Sequence, residues 1–320
     1  MKRLRPRSIV FGPVASRRLG RSLGINVVPY KTCSYSCIYC QLGETTNLTI
    51  DRVDGVSPEE VAEAVERIVK RVEVDFATFV GEGEPTLYSR LGKAIELVKR
   101  IGVKVAVLTN GSLLWREDVR RDLAEANYVC AKLDAGTEET FRRVNRPHPA
   151  LSLERVVEGL REFSKSFSGF FGIQIMLVEG VNDSDSELEK MVSILREIDA
   201  DRFYVSIPTR PTALSWARPA PMERVSALAK ALARAVGSER VALLTAPEGP
   251  DGFYLGEDVV ESIVSITAVH PLRIDLAEEV LRRMGVENPR KLIEKLVSSG
   301  VLKLVSYRGV DYLIYSRRRG

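Results

Sequence analysis

The sequence predicts a parallel α/β barrel, or part of one, followed by a small domain of three helices and a β-hairpin. Between Leu23 and Ile207, six apolar runs of strand length alternate with segments whose apolar residues recur at helical spacing. Strands joined by helices of this length form right-handed parallel crossovers, and six in succession favour a barrel. Polar and glycine-containing segments follow directly after the strands. Because the carboxyl ends of parallel strands carry the functional site, these segments are expected to meet at one mouth.

The individual elements are predicted from apolar spacing and from helix caps. The first helix shows both signals, since Ser57 stands at its cap, Pro58 lies in its first turn, and Val61, Val65 and Ile68 recur on one face. The predicted strands are Leu23–Val28, Val74–Val80, Val103–Thr109, Tyr128–Leu133, Phe170–Val178, Arg202–Ile207 and Arg240–Leu244. The predicted helices are Val56–Val72, Ser89–Ile101, Glu117–Glu125, Glu138–Val144, Ser152–Ser164, Ser186–Ile198 and Met222–Val236.

The pattern changes after a breaker-rich stretch, 245–252, which predicts a linker at 246–256 and a separate domain at 257–320. The predicted helices of this domain are Val259–Val269, Ile274–Met284 and Pro289–Ser298, and the predicted hairpin strands are Leu302–Val305 and Tyr312–Tyr315. Three helices and a hairpin resemble a winged helix-turn-helix, and its outward basic residues would suit phosphate contacts: Arg290, Lys291, Lys295, Lys303 and Arg308. Nearby acidic residues, and the use of such folds in protein docking, leave a protein-binding role open.

Composition and charge narrow the class of protein. The chain is 45% hydrophobic and 28% charged, and no apolar run is long enough to span a bilayer. No apolar signal segment follows the basic start, so a cytoplasmic location without membrane association is expected. Eight Lys and Arg residues precede the first acidic residue, Glu44, and residues 1–22 are predicted to be a basic N-terminal segment. Such an excess attracts an anionic partner, although a solvated basic terminus is the alternative for residues 2–7.

Three of the four cysteines, Cys33, Cys37 and Cys40, lie within eight residues. A structural zinc site needs four Cys or His ligands, and the two histidines, at positions 148 and 270, are far apart in sequence. Cys130 lies in an apolar strand and is predicted to be a buried thiol. Three thiolates without a fourth ligand favour an iron–sulfur cluster with one incompletely ligated iron.

The cysteine spacing, with Tyr39 immediately before the third cysteine, resembles the cluster loop of the radical S-adenosylmethionine superfamily. The segment Gly81-Glu82-Gly83-Glu84-Pro85 resembles the Gly-Gly-Glu motif of that superfamily, with Glu82 in place of the first glycine. The resemblance covers about Leu23 to Ile207. It implies a partial (β/α)6 TIM-like barrel, assigned to residues 23–245, ahead of the small winged-helix-like domain.

The resemblance also implies the chemistry of the cysteine loop. The three cysteines would hold a [4Fe–4S] cluster, and S-adenosylmethionine would chelate its fourth iron. An electron from a reductant such as ferredoxin or flavodoxin would cleave S-adenosylmethionine to a 5'-deoxyadenosyl radical, which abstracts a substrate hydrogen.

The resemblance assigns contacts with S-adenosylmethionine by motif position. Gly83 and Glu84, with Gly81 beside them, would contact the methionine part, and Tyr39 would pack toward the adenine. The remaining candidates are Asn110 and Asp134 for the ribose or substrate, and Asn182, Ile207 and Pro208 for the adenosine. These last five positions are also typical of turns and helix caps, and that alternative is left open.

The substrate is the least determined part of the prediction. The block from Gly12 to Asn26, followed by Lys31-Thr32-Cys33, resembles iron–sulfur oxidoreductases grouped with wyosine-type tRNA-modifying enzymes. The second set of three cysteines that such a synthetase carries is missing, because only Cys130 remains. The basic segment and the C-terminal domain favour a large anionic substrate, most plausibly tRNA or another nucleic acid. The alternatives are a protein or peptide substrate, and a non-catalytic iron–sulfur regulator that binds DNA.

Overall fold

A computed structural model describes residues 9–246, 249–251, 253 and 258–316. Four of the basic residues counted above, Lys2, Arg3, Arg5 and Arg7, lie outside these ranges, as do parts of the predicted linker and residues 317–320. The predicted domain boundaries at 22, 245 and 257 stay predictions.

An eight-stranded sheet curls into a half-barrel, which confirms the predicted partial TIM-like barrel. The strands in chain order are β1 (Val10–Ser16), β2 (Gly20–Ile25), β3 (Thr32–Cys33), β4 (Asn47–Leu48), β5 (Phe76–Phe79), β6 (Lys104–Leu108), β7 (Tyr128–Lys132), β8 (Phe170–Met176), β9 (Arg202–Ser206) and β10 (Val241–Leu244). The order in the sheet is β1-β2-β5-β6-β7-β8-β9-β10, while β3 and β4 form a separate small pair. All neighbours from β2 to β10 are parallel, and only β1 runs antiparallel to β2.

The hairpin of β1 and β2 is the main difference from the predicted elements. The sequence predicted a basic segment through residue 22, whereas Val10 to Ser16 form an edge strand paired with residues Gly20 to Ile25. Gly12 and Pro13 interrupt the strand pattern, and the register shifts between Phe11 and Val14. The arginines at the turn therefore belong to the barrel.

Helices cover the outer face of the sheet with amphipathic sides. They are α1 (Pro58–Val69), α2 (Leu91–Arg100), α3 (Glu117–Leu123), α4 (Glu138–Val144), α5 (Leu153–Ser166), α6 (Asp185–Leu195) and α7 (Met222–Val236). Helix α1 begins with a capping box in which Ser57 and Glu60 each bond the other's backbone N–H. Local caps of this kind explain why the predicted helix bounds agree closely with those of the structure.

Side chains along each strand alternate between the helices and the inside of the barrel. In β7, Val129 and Ala131 belong to the main apolar core under the helices. Tyr128, Cys130 and Lys132 point to the opposite, inner side, where they line cavities. The inner face therefore carries polar and aromatic groups.

The C-terminal residues form α8 (Val259–Val269), β11 (Leu272–Arg273), α9 (Ile274–Arg283), α10 (Pro289–Ser298), β12 (Leu302–Tyr307) and β13 (Val310–Tyr315). The three strands pair in the order β11-β13-β12. Residues such as Ile263, Leu281 and Leu313 build a second core, and Val14 of β1 is part of it. The helices and hairpin stand where they were predicted, and the winged-helix assignment stays a prediction. Helices within the described ranges are all too short or too polar to cross a membrane.

The C-terminal elements also contact the barrel through tyrosines. The Tyr312 hydroxyl donates to the carbonyl oxygen of Thr209 at 2.8 Å, just after β9. Tyr307 reaches the carbonyl of Pro208 at 3.5 Å. The hairpin therefore rests on the carboxyl end of the barrel.

Gly159 allows α5 to approach the loop after β6, and replacing it should weaken that packing. A Cβ at this position would lie 2.3 Å from the backbone nitrogen of Trp115 and 2.7 Å from the carbonyl carbon of Leu114. We expect Gly159→Ala to lower the free energy of unfolding by about 1–3 kcal/mol in urea denaturation.

The matched control is Gly249→Ala, because no atom of the residues that the structure describes lies within 4 Å of its added Cβ. We expect that variant to stay within about 0.5 kcal/mol of wild type. Helix propensity alone would make Gly159→Ala more stable than wild type by about 1 kcal/mol. Equal or higher stability of Gly159→Ala would therefore contradict the close approach.

Candidate active site at the carboxyl ends of the strands

A cavity of about 370 Å³ opens at the carboxyl ends of the barrel strands. This volume lies within the range of small-molecule and cofactor sites, about 300–1,000 Å³. Its lining contains most residues proposed from the sequence: Cys33, Cys37, Tyr39, Cys40, Gly81, Gly83, Glu84, Asn110, Ile207 and Pro208. Asp134 and Asn182 do not line it. The polar segments after the strands thus converge on one mouth, as expected for parallel strands.

All three clustered cysteines are free thiols and are partly buried. Each sulfur has a nitrogen donor close by. Lys31 Nζ lies 3.2 Å from Cys40 Sγ, Asn110 Nδ2 lies 3.6 Å from Cys33 Sγ, and Asn145 Nδ2 lies 3.6 Å from Cys37 Sγ. Hydrogen bonds to cysteine sulfurs are one of the ways in which proteins tune iron–sulfur clusters. The donor set therefore fits a group that leaves negative charge on three thiolates.

The same thiols do not form a site for a single metal ion. In the part of the chain that the structure describes, no three His, Cys, Asp or Glu residues are arranged to hold one ion. In an iron–sulfur cluster each cysteine binds a different iron, so the three sulfurs do not need to point at one position. Burial raises the pKa of the Cys33 thiol well above its ordinary value and raises that of Cys37 to about 11, although Lys132 opposes the shift at Cys37. Iron bound to these sulfurs would replace their protons.

Hydrogen bonds fix the cysteine loop to the neighbouring loops. Ser34 Oγ lies 2.6 Å from Ser112 Oγ and accepts from Asn110 Nδ2 at 2.8 Å, which ties the loop to the segment after β6. On the other side, the backbone N–H of Ser36 donates to the carbonyl of Asn145 at the end of α4. The sulfurs are therefore positioned from two sides before any ligand binds.

The Gly81–Glu84 segment packs directly on the cysteine loop. A Cβ at Gly83 would lie 2.1 Å from the carbonyl oxygen of Thr32, so only glycine permits this approach. The backbone N–H of Glu84 donates to the same Thr32 oxygen at 3.0 Å, and that of Lys31 donates to the Glu82 carbonyl at 2.7 Å. The motif recognised in the sequence thus places one strand end against the cluster loop.

The carboxylate of Glu84 is buried and braces three segments. Its Oε1 accepts from Thr86 N–H, from the Thr86 hydroxyl and from the Thr109 hydroxyl, while Oε2 accepts from the backbone N–H of Asn110 at 2.7 Å. Burial raises the pKa of Glu84, and these bonds oppose the shift. Acceptor capacity remains mainly on Oε2. The predicted contact of Glu84 with an amino group stays a prediction.

Tyr39 and Asp134 belong to one buried network beside the cavity. The Tyr39 hydroxyl donates to Asp134 and accepts from Lys132 Nζ at 2.9 Å, and the ammonium also lies 4.3 Å from the centre of the Tyr39 ring. Asp134 accepts further bonds from Asn145 Nδ2 and the backbone N–H of Met176, both at 2.8 Å. Burial raises the pKa of Tyr39 well above its usual range. These bonds favour a structural role for Asp134 in its turn. This is the alternative to a ribose or substrate contact that the sequence left open.

Asn182 is fully buried and saturated by backbone groups. Its Oδ1 accepts from the N–H of Val178 at 2.7 Å, and its Nδ2 donates to the carbonyls of Asp134 and Met176 at 2.7 and 2.8 Å. Every polar atom of the side chain is used by backbone groups, which belong to the end of β8, the loop after it and the loop after β7. The geometry favours a turn-forming role for Asn182 over the predicted adenosine contact.

Several charged residues line the cavity although the sequence did not place them in its wall. Arg17, Arg18, Lys132 and Arg210 line the cavity, and Glu84 is the one carboxylate in the described lining. The signal for Lys132 was present, since it ends β7 and alternates with Tyr128 and Cys130. The cavity therefore offers a positive field to an anionic ligand.

The C-terminal elements supply part of the wall. Val269 and His270, at the end of α8, line the cavity. Gln41, which follows Cys40, donates to the Val269 carbonyl at 2.9 Å. Arg210 donates to Gln41 Oε1 at 2.9 Å, and its Nη2 lies 3.2 Å from His270 Nε2. Residues from both parts of the chain thus enclose one site.

Comparisons with known proteins agree with this geometry. A family model described as the radical SAM superfamily matches residues 27–192. The UPF0026 protein of Methanocaldococcus jannaschii is 36% identical over 305 residues, which cover 94% of each chain. A probable GTP 3',8-cyclase of Sulfurisphaera tokodaii is 24% identical over 194 residues, 59% of this chain and 57% of that one. The solved structure of TYW1 with a lysine-pyruvate adduct bound has a similar fold, with a TM-score of 0.53 at 21% identity over 67% of this chain and 73% of that one.

Replacing Asn182 distinguishes its structural role from a cofactor contact. Because Asn182→Ala removes three hydrogen bonds to backbone groups from a fully buried position, we expect a loss of about 2–4 kcal/mol in the free energy of unfolding. The affinity of the folded variant for S-adenosylmethionine, measured by equilibrium dialysis after iron–sulfur reconstitution, should equal that of wild type.

Asp183→Ala, on the same loop, is the control. It removes a single bond, from the N–H of Gly180, at a partly exposed position, and should cost about 0.5–1.5 kcal/mol. An Asn182→Ala variant with wild-type stability and weakened S-adenosylmethionine binding would reverse the assignment.

Proposed function

This chain belongs to the radical SAM superfamily and is an enzyme of it, and we propose that it cleaves S-adenosylmethionine reductively at a [4Fe–4S] cluster to abstract hydrogen from an anionic substrate, RNA. Membership implies an iron–sulfur cluster and S-adenosylmethionine. The observation that carries the proposal is the cavity in which three thiols, each with a nitrogen donor, meet a lining rich in cations.

Each protein group has a defined part in this proposal. Cys33, Cys37 and Cys40 would hold three irons, and the fourth iron would be open to the amino and carboxylate groups of S-adenosylmethionine. When bound and reduced by a donor such as ferredoxin or flavodoxin, these cofactors supply a 5'-deoxyadenosyl radical. Lys31 and Asn110 stabilise negative charge on the sulfurs through the short contacts described above.

The enclosure of the cavity supports radical chemistry because it excludes water and competing hydrogen donors. Val269 and His270 cover one side, and apolar groups such as Phe11, Leu108 and Ile207 line the interior. Tyr39, which precedes Cys40, has its hydroxyl engaged by Asp134 and Lys132. A reducing compartment such as the cytoplasm suits the free thiols, and we include that location in the proposal.

The charge of the lining supports an anionic substrate. Arg17 and Arg18 come from the basic stretch noted in the sequence, and both reach the cavity. Arg21, from the same stretch, is instead paired with Asp75 and Glu73 at the surface. In the C-terminal elements, Arg290 is paired with Glu278 and Glu294, so its charge is partly neutralised. The phosphate-binding argument therefore rests more on the cavity than on that surface.

The name of one relative supports a substrate with phosphate groups, since a GTP 3',8-cyclase acts on GTP. A protein or peptide substrate is the second candidate. The observation that favours it is the position of the C-terminal hairpin, which contacts the carboxyl end of the barrel and would dock such a substrate beside the cavity. A purely regulatory iron–sulfur protein is set aside, because the superfamily consists of enzymes.

Replacing one cluster cysteine tests the ligand assignment. We expect Cys37→Ala, reconstituted anaerobically with iron and sulfide, to lose the absorbance of a four-iron cluster and to form no 5'-deoxyadenosine with dithionite and S-adenosylmethionine. Cys130→Ala is the matched control and should retain wild-type iron content, since Cys130 lies within β7 and not in the cluster loop. A four-iron spectrum in Cys37→Ala would refute the assignment.

Selective digestion tests the substrate class. We expect a cell extract to stimulate 5'-deoxyadenosine formation by the reconstituted enzyme, and we expect ribonuclease treatment of the extract to abolish that stimulation. Protease treatment, followed by inactivation of the protease, should leave it unchanged. The opposite pattern would replace the RNA proposal with the protein or peptide alternative while leaving the radical chemistry intact.

A further inference from the structure

A second cavity, of about 670 Å³, lies at the opposite end of the half-barrel. Five neighbouring parallel strands, β5 to β9, each contribute their first residue to its wall: Phe76, Lys104, Tyr128, Phe170 and Arg202. The amino-end cavity, as we call this space, lies away from the three cysteines, and the function proposed above does not depend on it.

The amino-end cavity is lined by cations without carboxylates. Arg17, Arg18, Lys104 and Arg202 reach it, and none of its described lining residues is Asp or Glu. Because no carboxylate stands among these described lining residues, an anion in the cavity would neutralise the charge of the cations. Asp75, the acid close to Lys104, is held by Arg21 at 2.9 Å.

Aromatic rings form the other half of the lining. The rings of Tyr128 and Phe170 are stacked with centroids 5.2 Å apart and planes within 7°, and Phe76 packs edge-on against Tyr128. The Tyr128 hydroxyl donates to that of Tyr204 at 3.0 Å, so both polar tips are satisfied inside the barrel. Aromatic faces next to cations bind nucleobases and their phosphates.

One turn separates the two cavities. Arg17, Arg18 and Leu244 line both of them. The Arg18 guanidinium donates to Gln174 and lies 5.8 Å from the centre of the Tyr204 ring, which fixes it inside the barrel. The two arginines of the turn between β1 and β2 therefore border both cavities.

We propose that the amino-end cavity binds a nucleotide unit, with its base against the ring of Phe170 and its phosphate against Lys104 and Arg202. Cations alone would suit any anion, and rings alone would suit any planar apolar group. Their combination in one cavity of this size selects an aromatic base that carries a phosphate. A free nucleotide and a nucleotide of an RNA strand share this chemistry.

Equilibrium binding to the full-length chain tests the proposal, with adenosine 5'-monophosphate, adenosine, inorganic phosphate and a short single-stranded RNA as probes. We expect the monophosphate to bind more tightly than adenosine or phosphate. The double variant Lys104→Gln/Arg202→Gln should weaken monophosphate binding by about tenfold or more and leave adenosine binding nearly unchanged. Phe170→Leu should weaken it by at least about fivefold and leave phosphate binding unchanged.

Lys230→Gln, an exposed lysine on the outer helix α7, is the matched control and should bind all probes as wild type does. Wild-type affinity for the monophosphate in the double variant would overturn the proposal, as would equal affinity for the monophosphate and inorganic phosphate. If RNA binding is also lost in the double variant, the unit belongs to an RNA strand. If only monophosphate binding is lost, the ligand is a free nucleotide.

Photolabelling keeps the test valid if the double variant fails to fold. With 8-azidoadenosine 5'-monophosphate, we expect labelled peptides that contain residues 104, 128, 170 or 202, with labelling retained in excess S-adenosylmethionine. Labelling of the cysteine loop alone, or its loss in excess S-adenosylmethionine, would overturn the proposal. The same labelling in Cys37→Ala does not depend on radical chemistry, so failure of the proposed reaction leaves this result interpretable.

Discussion

The contact between the Gly81–Glu84 segment and the cysteine loop is the constraint on which the candidate active site depends. Gly83 lies so close to the Thr32 carbonyl that any side chain would collide with it, and the N–H of Glu84 bonds that same oxygen. Glu84 then carries the constraint to the next strand through Thr109 and Asn110. Asn110 in turn donates to Cys33, so the position of a sulfur follows from the packing of a glycine.

A second constraint is charge balance inside the half-barrel. The inner face holds Arg18, Lys132 and several polar groups, where a barrel core would ordinarily hold apolar side chains. Lys132 is stabilised by the ring and hydroxyl of Tyr39, and Arg18 by Gln174 and the ring of Tyr204. Each cation has protein partners and also borders a cavity. The fold therefore retains positive charge where anionic ligands are expected to enter.

The sequence was sufficient for most of the fold because helix limits are local. Caps such as Ser57 and Asn288 are read directly from neighbouring residues, and the corresponding helices begin where they were predicted. The edge strand Val10–Ser16 was missed because Gly12 and Pro13 interrupt its strand pattern, and because its contact with α8 joins residues that are far apart in the sequence. Local signals do not report such a contact.

For the candidate site, the sequence identified which loops converge but not which way each side chain points. Asp134 and Asn110 both follow barrel strands. The carboxylate of Asp134 accepts hydrogen bonds from backbone and side-chain donors and does not line the cavity, whereas the side chain of Asn110 donates to the sulfur of Cys33. The difference depends on how each loop turns after its strand, and the spacing of residues in the sequence does not predict that turn. Lys132 was missed for a related reason, since charged residues in a strand pattern are normally assigned to solvent.

The C-terminal elements have a structural role that is independent of what they bind. Val14 of the edge strand belongs to their core, and the end of α8 brings Val269 and His270 to the cysteine cavity. The bond from Gln41 to Val269 links that helix to the residue that follows the third cysteine. An edge strand that would otherwise be open is thereby covered, which limits unwanted strand pairing. The C-terminal elements are therefore part of the enclosure of the active site, whether their outer surface contacts nucleic acid, protein or solvent.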